Sequence, residues 1–263
     1  MSVDWFVNRD CAAKRDLTAQ GILEGEKFRA TADEVIEKAR RHDPDTPLEQ
    51  IVIKHTLWTP EGEELRDISA AEMLELAGEL DPYRPACEDC QANVAAEPFG
   101  CLGCINYPFS AAGERWLMGQ LPASLKSAAG FLLQQAKMDF GWTGATFAEL
   151  RRTSHRFFEL RRAPSRSWGG LFSRSIITAD QLYSAMFEVG DIKPVHGAML
   201  CFFVGALAEE NMAPFLAAQD LSLLPDFRFE PRAEREATTS QLQMFFRALY
   251  IAALLEVTVT TDF

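Results

Sequence analysis

The sequence predicts an α+β protein, mainly helical, with a small hairpin-containing N-terminal part and a helical remainder. Three observations carry that prediction. Ser or Thr followed three residues later by Glu or Gln recurs at Thr31/Glu34, Ser69/Glu72, Thr146/Glu149, Thr178/Gln181 and Ser240/Gln243. In such a box the first side chain accepts from an orphan backbone N–H and the second reaches back to the cap, so each marks a helix start. The stretch 194–208, PVHGAMLCFFVGALA, is apolar all round, as a helix enclosed by its neighbours would be. Strand signal is confined to IVIKHTLW at 51–58 and VTVTT at 257–261.

Taken in order, a helix opens at Thr31, and Pro44 and Pro47 separate it from the next element. The β-branched and aromatic run 51–58 leads through TPEGEE to LRDI, a hairpin with Pro60 and Gly62 in its turn. Ser69 opens the next helix, and the cysteine segment 87–104 comes after it. Pro122 and Pro194 stand where a first-turn proline would open two more helices. A helix is expected over 147–162, another from Thr178 and a last from Ser240, where Leu242, Phe245, Phe246, Leu249, Tyr250 and Ala253 recur on one stripe. VTVTT alternates and adds a terminal strand. The expected division is a mixed part over 1–110 and a mainly helical part over 111–263, with a single domain as the alternative.

With 48% hydrophobic and 24% charged residues the composition is that of a globular protein. The net charge of −12 repels nucleic acid and anionic membranes and suits a basic protein partner. The apolar run at 194–208 is shorter than the ~20 residues a membrane span needs, so no membrane partner is expected. MSVDWFVNRD lacks the basic start and apolar run of a secretory signal. The expectation is a cytoplasmic, reducing location, where paired cysteines hold metal rather than form disulfides.

Two Cys-x-x-Cys pairs, Cys87/Cys90 and Cys101/Cys104, stand in CEDCQANVAAEPFGCLGC. Tetrahedral zinc takes four such thiolates at about 2.3 Å. Two tight turns, each presenting two sulfurs, would clamp one ion, with Pro85, Pro98, Gly100 and Gly103 easing the backbone around it. One structural zinc, joining the hairpin-containing part to the helical remainder, is therefore expected. Iron is the alternative metal, because it shares the ligand set. Four thiolates leave no open position for a reactant, so the site is read as structural. The stretch RPACEDC resembles the Pro-Cys-x-x-Cys of nucleobase deaminases. It departs from that family in Ala86 between proline and cysteine, and in His42 and His55 being followed two residues on by Pro44 and Leu57 instead of glutamate. Cys201, inside the apolar run, is read as a core thiol.

The second distinctive region is 146–174. Seven arginines and one glutamate over 151–174 give a local charge of +6 within a chain at −12. On a helix over 147–162, Phe147, Leu150, Phe157 and Phe158 share one arc, and Arg151, Arg152, His155, Arg156 and Arg162 the other. Arg161 would fall in the apolar arc, which requires a carboxylate partner or an earlier helix end. Arg151, Arg152, Arg156, Arg162 and Arg166 form a candidate anion site, since guanidinium forks match phosphate or carboxylate oxygens in pairs. Gly169 and Gly170 would offer backbone N–H groups to the same anion, and Trp168 a face for a base. The competing reading is that this face meets the protein's own acidic surface or water, and it is preferred.

No metalloprotease, P-loop, nucleophile-elbow or dinucleotide motif is present. DFG at 139–141 lacks the kinase loops that would give it meaning. His196 is read as a core or boundary side chain. The functional expectation is a non-catalytic binding or regulatory protein with a structural zinc. The alternatives are a nucleic-acid- or phosphate-binding protein using 151–174, and an enzyme whose site lies in a helical pocket.

Overall fold

Alternation of Val3, Trp5 and Val7, all buried, makes the first residues a strand, β1 (Ser2–Val7). The computed structural model describes residues 2–59, 62–170, 173–229 and 236–262, and for 55–59, 62–64, 88, 170 and 173 its account is of the backbone. Helix outweighs strand, about 53% to 15%, in line with the mainly helical α+β expectation. The chain forms two compact units, one of residues 10–90 and one of 1–9 together with 91–263. The division expected near residue 110 falls inside the larger unit. The reason is β1: its hydrogen-bond partners lie at 102–106 and 259–262, so the N-terminal strand belongs with the later chain.

In the smaller unit, α1 (Ala12–Leu17) is followed by α2 (Ala19–Arg40), then a hairpin of β2 (Val52–Thr59) and β3 (Gly62–Ser69), α3 (Ala70–Gly78) and the short α4 (Arg84–Glu88). The hairpin was legible, although Pro60 lies outside the described residues and Gly62 begins β3. Ser69 caps α3, accepting from the N–H of Glu72 at 3.1 Å. Thr31 starts nothing, because α2 already runs from Ala19, capped by Thr18, whose hydroxyl accepts from Gly21. The core gathers Ala32, Ile51, Ile68, Ala70 and Met73, with Phe28 and Ile36 packed against them.

The larger unit carries an antiparallel sheet in the order β4 (Leu102–Asn106), β1, β8 (Val259–Asp262), β7 (Asp191–Ile192). Around it stand α5 (Ala111–Gln120), α6 (Ala128–Asp139), α7 (Ala145–Thr153), α8 (Ala179–Phe187), α9 (Pro194–Phe203), α10 (Met212–Ala218) and α11 (Ala237–Leu254). A hairpin of β5 (Ser165–Gly170) and β6 (Ser173–Thr178) precedes α8. Thr178 and Gln181 make the full capping box expected of α8, and Pro194 opens α9. The buried stripe on α11 contains Leu242, Phe245, Phe246, Leu249 and Ala253 as expected. Its start is three residues earlier, where the Glu236 carboxylate accepts from Thr238 and Thr239. α7 follows Gly144, at φ +70°, instead of a Thr146 box, and Pro122 precedes a loop, with Ser127 capping α6.

Trp5, Phe109, Phe147, Phe158, Tyr183, Phe187 and Phe245 form a continuous aromatic core, Phe109 stacking on Tyr183 at 4.8 Å between centroids. β4 passes directly beneath the Trp5 indole. A methyl group on Gly103 would sit 2.3 Å from the ring. Gly103→Ala is therefore expected to destabilise the protein by about 1–3 kcal/mol in urea denaturation.

Candidate functional site

The two cysteine pairs belong to different units. In the smaller unit Cys87 lies on α4, and the N–H of Cys90 donates to the Cys87 carbonyl at 3.2 Å, which closes a tight turn. In the larger unit the Cys101 carbonyl accepts from the N–H of Val7, and Cys104 is a residue of β4 opposite Asp4. The second pair was expected to form a turn like the first. Pairing with β1 draws its backbone out as a strand instead. All six cysteines are thiols, and Cys201 is fully buried, its Sγ 3.4 Å from the Phe246 carbonyl, with burial pushing its pKa up. Among the described residues no three His, Cys, Asp or Glu side chains gather as a metal-binding group.

The arginine segment is not one helix with one charged face. α7 ends at Thr153, and the chain then turns over 155–157, so that Phe109 pairs with Phe157 and Phe158. The helix thus ends earlier, the outcome that Arg161's place in the apolar arc required. Arg151, expected on the charged arc, is buried, because two carboxylates wait for it inside. Its guanidinium grips both oxygens of Glu114, at 2.5 and 3.0 Å, and one oxygen of Asp180, at 2.7 and 3.1 Å. The fifth N–H donates to the Leu160 carbonyl at 2.7 Å, so every donor of the fork is used. The Phe158 ring lies 3.8 Å below its central carbon.

The other four arginines are dispersed. Arg152 pairs with Glu149 on the surface. Arg166 reaches from β5 to the Gly119 carbonyl at 3.1 Å, at the end of α5. Arg156 and Arg162 are exposed and make no side-chain hydrogen bond among the described residues. Gly169 and Gly170 belong to β5, paired with Arg174 and Ser173, and the buried Trp168 donates its indole N–H to Pro122. The structure therefore does not assemble the five arginines on a single surface.

A cavity of about 480 Å³ opens among α6, α8, α9 and α10. That is the size of a site for one small organic molecule. Its formation begins at the end of α6. Gly141, at φ +63°, lets the chain reverse, and the N–H of Trp142 donates back to the Lys137 carbonyl at 3.2 Å. The turn lays Trp142 along the opening. Phe140 stacks on Trp142 at 6.1 Å, Trp142 meets Phe203 of α9 edge-on at 6.4 Å, and His196 meets Phe140 edge-on at 5.7 Å. These rings make an aromatic wall, completed by aliphatic side chains such as Leu200 and Leu216.

Polar groups at the cavity are few. Ser184, on α8, is buried, and its Oγ is sealed from solvent and has no hydrogen-bond partner among the described residues. Glu188, one turn further on, lines the mouth at the C-terminal end of α8. His196 lines it from the first turn of α9 and is exposed, contrary to its expected place in a core or boundary. Ser184, Glu188 and His196 thus belong to the lining of one cavity, but the Ser184 hydroxyl is sealed from it and makes no activating hydrogen bond among the described residues. Sequence patterns passed over these residues. The DFG tripeptide, which has no kinase meaning here, is the turn that sets the wall, and only its glycine hinted at a helix end.

The chain matches no protein-family model, no curated protein and no solved structure. No helix of the described residues is long and apolar enough to cross a membrane.

Burial raises the pKa of Glu114, and Arg151 draws it back down. A raised carboxylate stabilises the fold below its ordinary value and loses that contribution as pH rises through the raised one. Arg151→Met would leave two carboxylates facing each other in the interior, a loss of about 3–5 kcal/mol near neutral pH. That loss should shrink at about pH 5, where the pair can take up a proton. Glu114→Gln should cost less, since Arg151 and Asp180 remain a matched pair. Chemical denaturation of both variants at the two pH values checks this.

Proposed function

We propose that this is a non-catalytic binding protein whose ligand occupies the cavity between α6, α8, α9 and α10. The observation that carries the reading is the aromatic wall around a space of about 480 Å³. Mostly apolar walls with a few placed polar groups are the composition of small-molecule sites. The anion-binding alternative draws less support, because Arg151 and Arg166 are committed to partners inside the fold. The acidic net charge of −12 suits a basic protein as a further partner.

The neutral dye N-phenyl-1-naphthylamine, which fluoresces in apolar surroundings, should bind and brighten. Ala136 lines the cavity from α6 and is only half-buried, so a larger side chain there fills the space without crowding the core. Ala136→Trp is expected to weaken dye binding at least about tenfold with no fall in Tm. Undiminished binding to that variant would place the dye elsewhere and remove the proposal.

We also propose that Cys87, Cys90, Cys101 and Cys104 hold one structural zinc, with iron as the alternative metal. Their spacing in the sequence supports this, as does the turn at Cys87–Cys90. Bound, the ion would act through folding, since a four-thiolate shell leaves no position for a reactant. Elemental analysis of reduced protein should find one zinc per chain, lost on Cys90→Ser or Cys104→Ser. Metal-free protein with an unchanged Tm after exhaustive chelation would rule the site out.

A further inference from the structure

The charges around the cavity select among ligands. Among the described residues fourteen line it, and neither a lysine nor an arginine is one of them. Glu188 is the one carboxylate, and it has no ion-pair partner among the described residues. Its side chain is exposed. It is the C-cap of α8, where the unsatisfied carbonyls of the last turn already concentrate negative potential. A cation at the mouth would relieve both. The aromatic wall of Phe140, Trp142 and Phe203 suits the apolar body of such a ligand. An anion would meet the carboxylate and the carbonyl end of α8, with His196 and the N–H end of α9 acting in its favour.

From this geometry we infer that the cavity takes a small hydrophobic amine, its protonated nitrogen at Glu188 and its apolar body against the aromatic wall. The inference rests on the cavity being the binding site, and it adds the sign and placement of the ligand's charge.

Three matched probes separate the two claims: 4-phenylbutylamine, 4-phenylbutanol and 4-phenylbutyrate, each competing with N-phenyl-1-naphthylamine. The amine is expected to displace the dye at concentrations at least about tenfold lower than the carboxylate, with the alcohol between them. Glu188→Gln keeps the shape and removes the charge, and should cut the amine's lead over the alcohol to less than about twofold without changing the alcohol. Equal displacement by all three, or an amine preference that survives Glu188→Gln, would overturn the charge assignment while leaving the cavity as the site. Failure of the dye itself to bind, or its undiminished binding to Ala136→Trp, would overturn the underlying reading as well.

Discussion

A single guanidinium holds the larger unit's helices in register. Arg151 leaves α7 and spends all five of its N–H donors on Glu114 of α5, Asp180 of α8 and the Leu160 carbonyl. Its side chain is 3% exposed and that of Glu114 is fully buried, so water does nothing to soften the arrangement. Two carboxylates against one cation leave the group formally negative. The N-terminal end of α8 offsets part of that, because Asp180 stands in its first turn, where free backbone N–H groups point outward. An interior ion pair of this kind contributes little net stability over an apolar replacement, but it penalises any packing that separates its members. Its effect is to specify which three helices meet, and at what height.

That specification reaches the cavity through α8. The helix is fastened at its first turn by Asp180 and in its middle by Tyr183, stacked on Phe109. Ser184 and Glu188 lie further along the same short helix and its cap. Their placement at the cavity is thus inherited from contacts on the other side of the helix. The facing wall has a different origin, a glycine-ended α6 that folds Trp142 back over the opening. A rigid anchor on one side and a local turn on the other account for an open space in an otherwise tightly packed aromatic interior.

Much of the secondary structure was legible in the sequence. Caps at Ser69 and Thr178, the proline at the start of α9, the stripe on α11 and the β2–β3 hairpin each rest on side chains acting within a few residues of themselves. The misreadings have a common cause. Thr31, Thr146 and Ser240 offer the same cap chemistry, yet the helices there start upstream, because amphipathic packing extends a helix past any cap it does not need. β1 was missed for the opposite reason: it is specified by partners far along the chain, such as Cys104 opposite Asp4, and not by local propensity. The β5–β6 hairpin pairs locally over 165–178, and it was missed because serine and glycine give its strands a weak strand signal.

The candidate site was almost illegible, and the arginines show why. Charge density at 151–174 was evident, but charge alone is silent on direction. Arg151 turned inward because Glu114 and Asp180, 37 and 29 residues away, reach the same point in space. His196, Trp142 and Ser184 carry no shared motif, since a cavity is lined by whichever residues four separate helices happen to present. Composition, caps and periodicity settle what each segment is, for those effects act over one or two turns. Which faces meet, which charge is buried and where space remains were decided in three dimensions, because burial and Coulomb energy depend on distance through the fold and are blind to separation along the chain.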